Sequence, residues 1–145
     1  MFRGNHPTRV DEKGRLKVPA DFKRRVDELY GPAFFITSKD GKRAELYPMK
    51  EWERIEDALA KAPSSAAKKK FLDVTNYYGQ VVEIDAQDRI LIPAILREAA
   101  LMKGDVDVMG QLTFLEVWNH SRFMENMNKN QITEDDRRAL ADLGI

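Results

Sequence analysis

Val10-Asp11-Glu12-Lys13-Gly14-Arg15-Leu16-Lys17-Val18-Pro19 and Ile84-Asp85-Ala86-Gln87-Asp88-Arg89-Ile90-Leu91-Ile92-Pro93 are one pattern written twice, 74 positions apart. Each runs from an aliphatic residue and Asp through a short turn to Arg, then aliphatic-x-aliphatic and Pro. The chain therefore reads as two copies of one small unit. What the copies share is expected to carry architecture, and what they differ in is where function is sought.

Outward from the first copy, the residues before Asp11 read as a strand. Asp11-Glu12-Lys13-Gly14 has type I turn chemistry, with Asp first and Gly fourth, and Arg15 to Val18 returns as a strand. Pro19 lacks an N–H and suits a first helical turn, here opening Ala20 to about Tyr30, which Gly31-Pro32 ends. Ala33–Thr37, the Asp40-Gly41 turn and Ala44–Tyr47 read as a hairpin, and Pro48 opens an amphipathic helix with Trp52, Ile55 and Leu59. The second copy repeats the order: strand Val81–Asp85, turn, strand Arg89–Ile92, Pro93, helix Ala94–Met102, then strands Val106–Met109 and Thr113–Trp118. Tyr47 with Trp52 matches Trp118 with Phe123 at an offset of 71, which predicts a second hairpin about three residues shorter.

A helix over Ala66–Tyr78 follows Pro63-Ser64-Ser65, and Thr133 with its trailing acidic residues predicts a capped final helix. The expected division is 1–62 for the first repeat, 63–79 for a helical linker, 80–130 for the second repeat and 131–145 for a C-terminal helix. Neither unit is large enough to close a core alone, so the expected fold class is α+β, a pseudo-two-fold β-barrel core with flanking helices. Val10, Leu16, Val18, Ile84, Ile90 and Ile92 are predicted at its centre.

The chain has 145 residues and no cysteine, which excludes disulfides, thiol catalysis and cysteine-based zinc sites. No cofactor or metal is expected. No apolar run is long enough to span a bilayer, and Met1-Phe2-Arg3-Gly4 lacks a signal peptide's apolar core, so no membrane partner and a cytoplasmic location are expected. The formal net charge of zero hides an asymmetry. Residues 1–75 hold 17 Lys+Arg against 12 Asp+Glu, and residues 76–145 hold 7 against 12. The cations concentrate around the first motif, pointing to an anionic partner. No Gly-rich phosphate loop, His-Glu-x-x-His helix or nucleophile elbow occurs, and His6 and His120 sit where surface or capping roles are expected, so the chain is not read as an enzyme.

On the opening Met1-Phe2-Arg3-Gly4 and two Asp-x-x-x-Arg motifs in strand-turn-strand-Pro context, residues 1 to about 125 resemble the MraZ family. The resemblance implies two tandem AbrB-type swapped-hairpin units, ring-shaped homo-oligomers, binding to double-stranded DNA at upstream promoter repeats, and regulation of the bacterial division and cell-wall gene cluster, hence a nucleoid-associated protein. It also leads one to expect Gly before Arg in both motifs, where the second copy has Asp88. That carboxylate is expected to repel phosphate and to compete for the Arg89 guanidinium, leaving the second turn a structural element.

Arg15 has two roles open to it, a pair with Asp11 across the turn or a contact to a guanine edge or phosphate. Lys13 changes between copies and is read as a phosphate contact, and Gly14 permits close backbone approach. Arg3, Arg9 and Lys17 are expected to extend the same positive strip. Asp11, Asp85 and Arg89 are assigned to the structural motif. The opposite charges of the two halves further suggest head-to-tail attraction between subunits. The alternative is a protein-interaction or assembly module without sequence-specific DNA binding, supported by Trp118, Phe123, Met124 and Met127.

Overall fold

A computed structural model describes residues 1–145. The first copy contributes β1 (Asn5–Val10), β2 (Arg15–Lys17), α1 (Ala20–Leu29), β3 (Ala33–Thr37), β4 (Ala44–Pro48) and α2 (Met49–Lys61). The linker helix is α3 (Ala66–Tyr77). The second copy contributes β5 (Gln80–Glu83), β6 (Arg89–Leu91), α4 (Ala94–Ala99), β7 (Gly104–Gly110), β8 (Leu115–Asn119) and α5 (His120–Lys129), and α6 (Glu134–Ala141) ends the chain. Pro19, Pro48 and Pro93 each occupy the residue just before a helix, as their fixed φ and missing N–H favour. Ser65 caps α3 by accepting from the Lys68 N–H, and Thr133 with Asp136 forms a reciprocal capping box on α6.

The eight strands form one antiparallel sheet in the order β5-β3-β4-β8-β7-β1-β2-β6, curled into a nearly closed barrel. The Asp85 N–H donates to the Arg89 carbonyl across the seam between its two end strands, as Asp11 N–H does to Arg15 in the first copy. The hairpins of the two copies interlock. β1 pairs with β7, β3 with β5, β2 with β6 and β4 with β8, so four of the seven strand ladders join residues from different copies. The pseudo-dyad passes between Leu16 and Ile90, which face each other on β2 and β6, and between Glu45 and Glu116 on β4 and β8.

Register shows where the second copy lost residues. Ile36 opposes Gln80 just as Val108 opposes His6, and Gln80 is the counterpart of His6 at offset 74, so β3 and β7 stand at offset 72. Two of the three missing residues therefore lie before the hairpin, not in it as the sequence suggested. α4 has 6 residues where α1 has 10. α1 ends on Gly31 at φ 91°, whose N–H bonds to the Val26 carbonyl, whereas α4 is stopped a turn earlier by Leu101 at φ 51°, with the Met102 N–H on the Arg97 carbonyl.

The core is built from both copies. Val10, Leu16, Val18, Ile90 and Ile92 are buried together with Phe34, Ile36, Leu46, Val106, Val108, Leu115 and Val117. Ile84 is only partly buried, because it lies just past the end of β5 at the open seam. Phe35, Tyr47 and Trp52 form a second, aromatic cluster against Phe71 and Phe114. Trp118 is buried and packs on Phe123 at 5.8 Å, while Met124 and Met127 remain exposed.

Part of the charge asymmetry is met by ion pairs between the two copies. Arg9 of the first copy pairs with Asp105 of the second at 2.7 Å, Lys23 with Asp88 at 3.2 Å, and Arg43 with Glu116 at 3.3 Å. Opposite signs thus meet across the pseudo-dyad within one chain.

Since Leu16 and Ile90 fill one shared layer, Leu16→Ala and Ile90→Ala are each expected to cost about 3 kcal/mol in chemical denaturation. Unfolding should stay a single transition, with Trp52 fluorescence in a Trp118→Phe background tracking far-ultraviolet circular dichroism. Two separated transitions would mean the copies fold independently.

Candidate nucleic-acid interface

The two turns are built alike to the atom. Asp11 Oδ1 accepts from the backbone N–H groups of Lys13 (3.0 Å) and Arg15 (2.9 Å), and its Oδ2 accepts from Arg15 Nε at 2.8 Å. Asp85 repeats this with Gln87 (2.8 Å), Arg89 (2.9 Å) and Arg89 Nε (3.1 Å). The Arg15 backbone N–H holds the Asp11 carboxyl below the ordinary carboxylate range, aided by the guanidinium and the Lys13 N–H and opposed by partial desolvation. Asp85 is lowered in the same way, first by the Arg89 N–H. An Asp therefore closes each turn through the backbone and orients the Arg that follows through Nε. Pairing and presentation are compatible here, because Nε is engaged and both terminal nitrogens of the fork are left over.

Gly14 at φ 82° and Asp88 at φ 62° occupy the same left-handed corner. Each turn also locks onto the other copy. The Ile92 N–H donates to the Gly14 carbonyl at 2.9 Å, and the Val18 N–H to the Asp88 carbonyl at 2.8 Å. The Asp88 side chain does not compete for Arg89, which stays on Asp85. It turns instead toward the first copy, 3.2 Å from Lys23 Nζ and 4.0 Å from Lys17 Nζ, and it raises the Lys23 pKa together with Asp27. The expected competition for Arg89 is corrected accordingly: an Asp in this left-handed corner points back across the pseudo-dyad, toward α1.

Alternation on the strands turns Leu16 and Ile90 inward and leaves Arg15 and Lys17 of β2 on the outer wall beside Leu91 and Arg89 of β6, in the register Arg15 to Leu91 and Lys17 to Arg89. Arg9 lies outward on neighbouring β1, next to buried Val10. The wall therefore gathers Arg9, Arg15, Lys17 and Arg89, with Lys13 exposed at its first-turn end and free of any carboxylate pair. Lys17 Nζ also donates to the Gln87 carbonyl at 2.9 Å. Arg3 is not brought there. It precedes β1, beside the Phe2–Leu112 bridge, and a six-residue strand separates it from the turn, roughly 20 Å of extended chain.

Arg89, assigned to the structural motif, pairs with Asp85 and also stands beside Lys17 on the outer wall. One residue of this neighbourhood escaped the sequence reading. Arg97 of α4 reaches the first turn, donating from Nη1 to the Lys13 carbonyl at 3.0 Å. No charge run or motif marks Arg97, but it stands 74 residues after Lys23, and that offset was a usable signal.

Other polar clusters pair largely among themselves, although buried Arg43 Nε makes no hydrogen bond. Buried Glu45 accepts from Tyr47 Oη at 2.5 Å and pairs with Lys39 at 3.4 Å. Burial and Glu45 push the Tyr47 hydroxyl far above its usual range. Glu116 takes Arg43 and the Trp118 indole N–H, and Arg43 lies over the Trp118 ring at 5.2 Å. His120 pairs with buried Asp107 at 2.6 Å, and His6 packs edge-on against Phe22 at 4.6 Å. No group of three or more acidic or histidine side chains is placed to hold a metal ion, and no helix is long and apolar enough to cross a membrane.

The family model for the MraZ protein matches residues 1–75 and again 79–143. Among curated proteins, the chain is 64% identical over 146 residues to the transcriptional regulator MraZ of Acidobacterium capsulatum, with all of both chains covered. It is 54% identical to that of Koribacter versatilis, again end to end. It is 32% identical over 143 residues to that of Neisseria meningitidis, covering 97% of this chain and 93% of the relative.

The Asp11 shift sets a pH test. Its folded-state pKa lies below the unfolded value of about 3.9, so the stabilisation is complete above that value and is lost as pH falls through the folded one. Asp11→Asn should melt below the native protein at pH 7, with the gap closing below about pH 4. A gap of equal size at both pH values would show that the carboxylate charge contributes nothing.

Proposed function

The chain belongs to the MraZ family, and from that premise we propose that it is a DNA-binding transcriptional regulator, not an enzyme, that meets double-stranded DNA with the wall around its first turn. The observation that carries the reading is the gathering of Arg9, Lys13, Arg15, Lys17 and Arg89 on one side of a duplicated barrel. Lys13 supplies phosphate contact, Gly14 allows close approach, and Arg15, oriented by Asp11, offers its terminal nitrogens to a base edge or phosphate. Arg9 and Lys17 add positive potential although each also has a protein partner, and Arg3 serves as a separate contact further along the duplex. Asp85 supports the second turn, while Arg89 joins the wall.

The targets are short repeats upstream of the division and cell-wall gene cluster, and the protein works in the cytoplasm in association with the nucleoid. Residues 1–62 and 80–130 act as the duplicated units that share one barrel, 63–79 as their linker and 131–145 as an appended helix. A single wall carries few cations, and affinity depends on how many phosphates are neutralised together. A ring-shaped homo-oligomer presenting several such walls to repeated sites answers this through effective concentration. Its support is apolar rather than electrostatic: Met124 and Met127 of α5 are 42% and 47% exposed, and Ile132, Leu143 and Ile145 flank an α6 whose residues, Leu140 apart, are all exposed.

The test is a salt titration of binding to duplex from upstream of its own gene against scrambled duplex. The native protein should prefer the first, and Lys13→Ala should reduce the log–log salt slope by about 1. Gln87→Ala should leave it unchanged. Equal affinity for both duplexes would defeat the regulatory reading. Asp88→Gly should remain folded, since glycine suits its positive φ, and should bind DNA as well or slightly better by releasing Lys17 and Lys23. A clear loss of binding would show that the Asp88 carboxylate helps rather than hinders.

A further inference from the structure

We propose that Arg97 is the positioning residue of the first turn, and that the exchange of Arg97 over Gly14 for Lys23 against Asp88 decides which of two otherwise matched turns engages DNA. The proposal rests on the reading above that the first turn is the DNA-facing one.

Arg97 comes from the opposite copy, on α4, and lies across the bare backbone of Gly14. A Cβ placed on Gly14 would fall 1.5 Å from its Nη1, 2.5 Å from its Cζ and 2.7 Å from its Cδ. The guanidinium thus fills the space that a side chain at position 14 would take. From there Nη1 donates to the Lys13 carbonyl at 3.0 Å, with the Ile92 carbonyl at 3.5 Å. The peptide unit it grips carries Lys13 on one side and leads into Arg15 on the other. Holding it limits the directions in which both side chains leave the turn, which is how a supporting residue tightens a binding site.

The twin position shows the alternative solution. Lys23 stands 74 residues before Arg97, on α1, and Asp88 stands 74 residues after Gly14. There the cation meets a carboxylate at 3.2 Å and shares a second one, Asp27, at 3.4 Å. Its charge is spent inside the protein. Arg97 makes no direct ion pair: Asp11, Glu12 and Glu98 line the same hollow, but its hydrogen bonds go to backbone carbonyls, so the guanidinium beside the first turn is not tied to a carboxylate. One turn is consequently backed by a cation bound to backbone carbonyls and the other by a direct ion pair, although their Asp–Arg brackets are the same. A planar fork is required for this role. An ammonium keeps the charge but lacks the rigid guanidinium plane that spans Gly14.

The experiment uses the full-length protein with Arg97→Ala, Arg97→Gln and Arg97→Lys, a fluorescent duplex from upstream of its own gene and a scrambled one. Each variant is checked for folding at the assay temperature by circular dichroism, and amide hydrogen exchange is read at residues 13 to 15. Arg97→Ala and Arg97→Gln should weaken specific binding about tenfold, the size of one lost charged hydrogen bond, and speed exchange in the turn. Arg97→Lys should recover only part of the affinity. The proposal is overturned if the folded Ala and Gln variants bind within twofold of native, or if binding in all three merely follows the folded fraction. A native protein that treats the two duplexes alike would instead sink the reading beneath it. In that event faster exchange in Arg97→Ala would mark a turn held by Arg97 for no nucleic acid.

Discussion

The antiparallel meeting of β2 and β6, with Leu16 against Ile90 and a carbonyl from each turn received by an N–H of the other copy, is the contact on which the remaining structure depends. Strands of three residues are too short to survive as an isolated hairpin. Each turn is stabilised from within by an Asp that accepts two backbone N–H groups, and from outside by the twin copy. Separating the copies would expose Leu16, Val18, Ile90 and Ile92 together and leave the Gly14 and Asp88 carbonyls without these partners. Fold and site share one origin, because the interlock that closes the barrel also sets the outer wall.

Duplication followed by divergence explains the electrostatics. A symmetric ancestor would present two equivalent turns and an equal charge on each half. Here the first copy carries the excess of cations and the second the excess of carboxylates, and the strand pairing places them opposite one another, as in Arg9 with Asp105 and Arg43 with Glu116. The outer wall is then basic only locally, around Lys13, Arg15 and Arg97, while most cations have a protein partner. Such a surface suits contact with a few phosphates more than broad, indiscriminate attraction.

Much of this was legible from residue order. The repeated Asp-x-x-x-Arg placed both turns and both short strands, Pro19, Pro48 and Pro93 placed helix starts, and Thr133 with Asp136 placed the last cap, since each of those choices is made by chemistry within four or five residues. Misreadings came from longer range. The offset of 71 located three missing residues but not where they were lost, because Leu101 ends α4 early in a conformation that leucine seldom adopts, with its carbonyl accepting from the distant Asn119 side chain. The direction of the Asp88 carboxylate depended on α1 lying beside the second turn, and Arg3 shares the sign of the cation strip without sharing its place.

By itself the sequence determined that this protein is a tandem duplication with two Asp-bracketed turns and a charge bias toward the first, because hydrogen-bonding capacity, proline geometry and apolar alternation are properties of near neighbours. Only the tertiary structure decided which cations stand together and which are neutralised. Pairing β1 with β7 and β2 with β6 brings residues 72 or more positions apart into contact, and no local pattern specifies whether Lys23 will meet a carboxylate or Arg97 a bare glycine.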